Sequence, residues 1–139
     1  MTPARRLGLW LPPLVLMAVI FALSAQPSLN SGLGVIDKVG RKFVHAGEYA
    51  LLCALWWRAL RTQVSARAAL IGAFAMAVAY SATDELHQHF VTGRHGTPVD
   101  VLIDAVGAGL TVLWLRSRAR RRGDRSRGRP PATATSSSS

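Results

Sequence analysis

Four apolar blocks follow one another along the chain, separated by short polar segments. Residues 7–25 and 68–83 contain no charged side chain, whereas residues 43–60 and 99–115 carry charges only near their ends. A helix needs about 20 predominantly apolar residues to cross the hydrocarbon core of a bilayer. Charged side chains near a helix end can still reach headgroups and water. The pattern therefore predicts an all-α, polytopic membrane protein with four transmembrane helices in one domain, residues 7–115.

The first block has a second interpretation. Arg5 and Arg6, an apolar stretch and the small residues at 22–25 resemble a secretory signal peptide. The apolar run is longer than the roughly 7–15 residues of a signal peptide, so we predict an uncleaved helix. Pro12 and Pro13 lie near the start of the block, where a helix tolerates proline best. The topology of the remaining chain is the same in either case.

The distribution of basic residues orients these helices. If the N-terminus, the segment around 58–67 and the tail after Leu115 lie in the cytoplasm, thirteen Lys and Arg residues are inside and four are outside. Such an excess follows the positive-inside rule. Both termini are therefore predicted to be cytoplasmic, in the plasma membrane of a bacterium. Segments 26–42 and 84–98 face outward.

The tail, residues 116–139, is rich in Arg and then in Pro, Ala, Thr and Ser. This composition buries little apolar area, so the sequence predicts a disordered basic tail. Arg residues just inside a membrane attract anionic lipids, each contributing on the order of 1 kcal/mol. The net charge of +10 does not indicate nucleic-acid binding, because the chain has no soluble fold that could carry a basic face.

Polar residues gather at the predicted outer ends of the helices. Six of the seven acidic residues and all four histidines lie there. Ionisable groups at membrane depth are costly and usually mark function.

Helical spacing of three or four residues assigns these polar residues to common helix faces. On the second helix the face holds Lys38, Arg41, Lys42, His45 and Tyr49. On the third helix Asp84, His87 and Gln88 share one face, and Glu85 and His89 share the next. On the fourth helix the stripe is Asp100, Asp104, Gly107 and Thr111.

These residues also resemble the VanZ-like family, over residues 7–115. The resemblance is carried by Asp37-Lys38, His45, Tyr49, the run 84–90 (Asp-Glu-Leu-His-Gln-His-Phe), Gly93-Arg94, Asp100 and Gly107. The namesake of this family is associated with resistance to the glycopeptide antibiotic teicoplanin. The resemblance implies a cell-envelope protein that modulates sensitivity to such antibiotics. One position departs from the family, which often carries Asn where this chain has Asp104, so this chain adds a negative charge there.

Three hypotheses about the cluster stay open at the level of sequence. In the first, it binds a phospholipid or cell-wall precursor headgroup, with Arg suited to bidentate contact with an oxyanion. The ligand-binding residues are then Lys38, His45, Tyr49, Gln88, Arg94, Asp100 and Asp104. In the second, the protein is a membrane-embedded hydrolase or transferase for a lipid-linked substrate, with Asp84, Glu85 and His87 as the catalytic residues. In the third, pairs such as Asp84–Arg94 and Glu48–His45 only lock helix ends together.

The catalytic hypothesis has two forms, and the sequence names no cofactor. The carboxylates and histidines of the cluster supply enough ligands for a divalent metal that activates water. Without a metal, His87 or His45 would act as a general base beside a carboxylate. The run Asp-Glu-Leu-His-Gln-His is not the His-Glu-x-x-His motif of zinc proteases, so no known ligand spacing selects the metal form.

Reporter fusions test the predicted topology. A reporter that is active only outside the cytoplasm should be active when fused after Gly93 and silent when fused after Gln63, because the basic residues flanking Gln63 hold that loop inside. A cytoplasm-specific reporter at the same two positions is the control and should show the opposite pattern. Equal activity at both positions would contradict the topology.

Overall fold

The structure, a computed structural model, describes residues 2–26, 35–91 and 96–127; the side chains of residues 35–38 and 123–127 are not described. The described chain forms four α-helices: α1 (Pro3–Ser24), α2 (Val35–Leu60), α3 (Ala66–Gln88) and α4 (Pro98–Arg127). No strand occurs in these ranges. The all-α prediction is confirmed.

All four helices extend beyond the apolar blocks that predicted them. Helix α1 begins at Pro3, in the first turn, where the missing N–H of proline costs nothing. Pro12 and Pro13 consequently lie inside the helix rather than near its start, which corrects the prediction. Each interior proline removes a backbone hydrogen bond, a loss that membrane helices tolerate when neighbouring groups compensate. Helix α3 is capped at its start, because the Ser65 side chain accepts a hydrogen bond from the backbone N–H of Ala68 at 3.2 Å.

The basic tail is partly helical. Helix α4 continues past Leu115 to Arg127, so the prediction of disorder from residue 116 is wrong for residues 116–127. Arg and Ala favour helix, and cations near a helix C-terminus interact favourably with its dipole. The side chains of residues 116–122 are exposed, so this extension is held by local preference rather than by packing. Residues 128–139 lie outside the described chain.

Helices α2 and α3 form the middle of the bundle. Each contacts the other three helices, whereas α1 and α4 pack only on α2 and α3. The buried core is built from Tyr49, Leu52 and Cys53 of α2 together with small residues of α3. Ala69, Ala73 and Ala77, spaced by four, lie on the buried face of α3 and allow its neighbours to approach closely.

Three helices are long and apolar enough to cross a membrane: α1, α3 and the part of α4 up to Arg122. Most of their large apolar side chains are exposed in the bundle, as in Leu14, Ile71 and Leu110. Such extensive apolar exposure on every side is typical of a lipid-facing surface. Helix α2 is not among the three; its side chains Leu52 and Trp56 are buried in the core, whereas Phe43 is exposed.

The contact between α2 and α4 depends on a small residue. A Cβ atom on Gly107 would collide with the carbonyl oxygen of Ala46 and lie 2.9 Å from its carbonyl carbon. Thr111, one turn further on, donates its hydroxyl to the backbone oxygen of Ala50 at 3.1 Å. The two backbones therefore touch at Gly107, as the predicted Gly107–Thr111 stripe indicated.

Gly107→Ala should destabilise the bundle by about 1–3 kcal/mol, because the added methyl group overpacks a backbone contact. The matched control is Gly109→Ala on the same helix, where the new Cβ would meet only a ring atom of Phe74 at 3.9 Å. Alanine favours helix over glycine, so Gly109→Ala should be neutral or slightly stabilising. Denaturation of the purified proteins in mixed detergent micelles measures both. Equal stability of the two variants would contradict the close packing.

Candidate functional site

A buried polar cluster lies at one end of the bundle. The C-terminal ends of α1 and α3 meet the N-terminal halves of α2 and α4 there, so all four helices contribute to the cluster. Its buried polar residues at this end are Ser24, Tyr49, Ser81, Asp84, Glu85, Gln88 and Asp104. The structure thus brings together residues from the three predicted polar faces. At the opposite end Arg58 of α2 donates a hydrogen bond to the backbone oxygen of Gly8.

Asp84 joins α3 to α1. Its Oδ2 accepts a hydrogen bond from the hydroxyl of Ser24 at 2.8 Å and another from the Nε2 amide of Gln88 at 2.9 Å. Gln88 is one turn after Asp84, as the predicted common face requires. The Oδ1 atom of Asp84 is buried and has no hydrogen-bond partner within the described chain. Oδ2 therefore accepts two hydrogen bonds, and Asp84 also interacts with the buried Tyr49 hydroxyl.

Asp104 joins α4 to α3 in the same way. The hydroxyl of Ser81 donates to its Oδ2 at 2.6 Å, while its Oδ1 is buried without a partner among the described residues. The side chain is only 2% exposed. This carboxylate is therefore deeply buried.

Glu85 contacts the start of α4. Its Oε2 accepts a hydrogen bond from the backbone N–H of Thr97 at 3.1 Å. The preceding residue, Gly96, passes so close that a Cβ atom there would lie 2.7 Å from the same oxygen and collide with the Glu85 backbone. Only glycine fits this approach, so the segment before α4 is held against Glu85.

Asp100 is the one acidic residue of the described cluster with a basic partner. Lys42 of α2 lies 2.6 Å from its Oδ1. The hydroxyl of Thr97 donates to the other carboxylate oxygen, Oδ2, at 2.6 Å, which ties Asp100 to the residue that precedes α4. This ion pair connects the N-terminal part of α2 to the first turn of α4, and it neutralises the charges of both Lys42 and Asp100.

His45 and Tyr49 bring α2 into the cluster. Their rings stack with centroids 6.4 Å apart, and Tyr49 is completely buried. The Tyr49 hydroxyl lies in the electrostatic field of Asp84 and Asp104 and makes no well-formed hydrogen bond within the described residues. A nitrogen of His45 and one carboxylate oxygen each from Glu85 and Asp104 all lie within 4.8 Å of one another.

His87 occupies a different position from its neighbours. Its ring stacks on Phe21 of α1, with centroids 4.4 Å apart and planes 14° apart. Its Nε2 is buried and has no partner in the described chain. Asp84, Glu85 and His87 therefore point toward different neighbours, Ser24, Thr97 and Phe21 respectively, and no hydrogen bond joins them to one another. His89, two residues after His87, is exposed.

Some predicted residues cannot be placed. Arg94 and His95 lie outside the described residues, and so does the side chain of Lys38. The predicted Asp84–Arg94 pair therefore falls outside the described part of the site. Arg41 is half-buried.

Four residues of the site were missed by the sequence analysis: Ser24, Ser81, Gly96 and Thr97. Ser81 could have been found, since it precedes Asp84 and Glu85 by about one turn on the same helical face. Thr97 before Pro98 and Asp100 is a helix-start pattern. Nothing in the sequence links Ser24 to Asp84, because only the packing of α1 on α3 brings them together.

The fold and the site together define a multi-pass helical membrane protein with a buried, acid-rich cluster at one end of its bundle. A family model described as VanZ/LLP1 matches residues 9–118, and the chain belongs to this family. The resemblance noted in the sequence is thereby confirmed. No curated protein and no solved structure gives a significant match.

A double-mutant cycle tests the link between α2 and α4. Lys42→Met and Asp100→Asn should each destabilise the protein, and their combined effect should fall short of the sum by up to about 1 kcal/mol, since the partners are 43% and 22% exposed. Unfolding in mixed micelles measures each corner. The control is the double variant Lys42→Met with Gly109→Ala. Gly109 is remote from the ion pair, so the two changes in unfolding free energy should add. Full additivity of Lys42→Met and Asp100→Asn would contradict the ion pair.

Proposed function

We propose that this protein lies in the bacterial plasma membrane with four spans and cytoplasmic termini, and that its polar cluster faces outward. There it binds the headgroup of a lipid or cell-wall precursor. Through this binding it modulates the sensitivity of the cell envelope to glycopeptide antibiotics of the teicoplanin type. Membership of the VanZ/LLP1 family supports the envelope role.

The observation that carries the binding proposal is a set of unsatisfied oxygen atoms. Asp84 Oδ1 and Asp104 Oδ1 are buried in the cluster without a well-formed hydrogen bond in the described chain, and the Tyr49 hydroxyl, which interacts with Asp84, is buried beside them. A buried polar atom without a hydrogen bond costs about 1–3 kcal/mol. A ligand that supplies donors offsets this cost. Hydroxyl, amide and ammonium groups are such donors, and headgroups and cell-wall precursors carry them.

The position of α2 supports a fourth span. It is surrounded by three helices that are each apolar enough to cross a membrane. Its polar residues His45 and Tyr49 thus face protein instead of lipid, which is where ionisable groups at membrane depth are tolerated. A helix in this place crosses with its neighbours although its own composition is less apolar.

Features at the opposite end support a cytoplasmic C-terminus. Trp114 is exposed near the end of the apolar part of α4, and the guanidinium of Arg118 lies 4.4 Å from the centre of its ring. Tryptophan is enriched at membrane–water interfaces, and arginine is enriched in cytoplasmic segments. The exposed arginines of 116–122 would then contact anionic lipids at the inner surface.

The phosphate part of the headgroup proposal depends on basic residues. Lys42 is already paired with Asp100. The groups left to contact a phosphate are therefore Arg41, Lys38 and Arg94, of which the structure describes only the Arg41 side chain. The described part of the cluster is rich in acceptors and poor in free cations.

Hydrolysis or transfer on a lipid-linked substrate is the second candidate. It is favoured by the approach of His45, Glu85 and Asp104, because a histidine beside two carboxylates is suited to general acid–base work. The two functions differ in their products. Incubation of the purified protein with lipid-linked cell-wall precursor, followed by mass spectrometry, leaves the substrate intact if the protein only binds it.

Expression in a glycopeptide-sensitive Gram-positive host tests the proposed function. The wild type should raise the teicoplanin concentration that inhibits growth, and Asp84→Asn and Tyr49→Phe should reduce this effect severalfold because they alter the acceptors of the cluster. His89→Ala is the control, since His89 is an exposed histidine on the same helix. Immunoblots of membrane fractions normalise the protein level.

Two outcomes would contradict the proposal. The first is a wild type that does not differ from an empty vector with several envelope antibiotics. The second is a set of site variants that keeps the full effect at equal abundance. Loss of activity only in parallel with loss of protein would instead indicate that the cluster has a structural role, which also contradicts a binding function.

A further inference from the structure

Three side chains from three helices come together inside the cluster. His45 is on α2, Glu85 on α3 and Asp104 on α4, and one donor atom from each lies within 4.8 Å of the other two. Donor atoms around an ion with bonds of about 2.0–2.2 Å are separated by roughly 3–4.4 Å. A small inward movement of these side chains therefore suffices for all three to contact one ion.

Within the described residues, no lysine or arginine compensates the charge at this place. Glu85 and Asp104 are both buried, and no described lysine or arginine forms an ion pair with either. Lys42 is bound to Asp100 instead. Two buried carboxylates so close together require a shared proton or positive charge beside them, and a metal cation held between them supplies that charge directly.

An unpartnered atom points to the cation. Asp104 is 2% exposed, its Oδ2 is occupied by the Ser81 hydroxyl, and its Oδ1 has no partner within the described chain. The hydrogen bond from Ser81 orients the carboxylate, as partners of metal ligands commonly do. The Thr97 N–H orients Glu85 similarly through Oε2. Both carboxylates are thus held in place by one hydrogen bond and retain lone pairs for a further contact.

We propose that His45, Glu85 and Asp104 bind a divalent first-row transition metal ion such as Zn²⁺ or Mn²⁺. One imidazole and two carboxylates are a mixed nitrogen and oxygen set, which suits such ions better than Mg²⁺ or Ca²⁺. The proposal deepens the proposed function and rests on its assignment of this cluster as the binding site. Three protein ligands leave at least one position open for a ligand oxygen.

A bound cation also explains how an acid-rich site attracts an anionic headgroup. Without it, Asp84, Glu85 and Asp104 would repel a phosphate. With it, the ion offers positive charge and an open coordination position, and the Tyr49 hydroxyl lies in the same cluster. Asp104 adds a second negative charge to that of Glu85 and should strengthen the hold on a cation.

The test uses the full chain, purified in detergent and stripped with a chelator, then titrated with Zn²⁺ or Mn²⁺ alone against a chromogenic chelator. The wild type should bind one equivalent. His45→Ala, Glu85→Gln and Asp104→Asn should weaken binding by at least about 100-fold, because changes to outer-shell groups alone cost about 10–100-fold.

Two matched controls accompany these variants. Asp84→Asn removes a carboxylate buried as deeply as Asp104 but held by Ser24 and Gln88, and it should weaken binding by about tenfold, as a change outside the ligand set does, and not by the 100-fold or more of the ligand variants. His89→Ala removes an exposed histidine and should leave the affinity unchanged. Thermal unfolding gives a second measurement: added metal should raise the melting temperature of the wild type and of both controls but not of the three ligand variants. A variant that melts cooperatively without metal is folded, so its loss of binding is a loss of ligands.

The proposal is overturned if the wild type binds less than one equivalent, or if Asp84→Asn loses as much affinity as Asp104→Asn. The first result would indicate a proton shared by Glu85 and Asp104, and the second a nonspecific attraction of cations to the acidic cluster. Neither result bears on the antibiotic phenotype, which the growth-inhibition measurement tests separately. Conversely, metal binding without any phenotype would retain the ion site and reject the proposed function.

Discussion

The structure depends on the burial of three carboxylates at one end of a membrane bundle. Each is held by a donor from a different part of the chain: Asp84 by Ser24, Glu85 by the backbone of Thr97, and Asp104 by Ser81. An ionised carboxylate in an apolar environment costs several kcal/mol unless it is hydrogen-bonded or paired. The relative positions of α1, α3 and α4 therefore follow from the need to bring these donors to these acids.

Close helix packing makes this arrangement available. Alanines on the buried face of α3 and Gly107 on α4 let the backbones approach, and α2 then lies in the middle with its polar residues shielded from lipid. Helix α2, whose composition alone does not qualify it as a membrane span, is thereby in contact with all three other helices. Its His45 meets Glu85 and Asp104 because α2 is packed between α3 and α4.

The two ends of the bundle differ in chemistry. One end holds buried acceptors with a single described ion pair, Lys42–Asp100, and the other carries arginines on the exposed extension of α4. The acidic and basic side chains are therefore separated along the bundle. His45, Glu85 and Asp104, the three side chains that we propose to hold a cation, lie at the acid-rich end.

Much of the fold could be predicted from the sequence. Apolar blocks and the 3.6-residue period located four helices and put Asp84 and Gln88 on one face, because both signals are local. Local signals do not determine how each helix is rotated or how far it continues. Three contacts arise only from helix packing. His87 stacks on Phe21, and Ser24 donates a hydrogen bond to Asp84. His45 lies beside two carboxylates that are distant in sequence. The continuation of α4 to Arg127 departs from the prediction because the Arg-rich composition of the tail is typical of a disordered segment, although Arg and Ala favour helix. The sequence by itself thus determined the helices and their polar faces, while the tertiary structure decided which polar groups meet, since those contacts depend on the burial of small residues between helices.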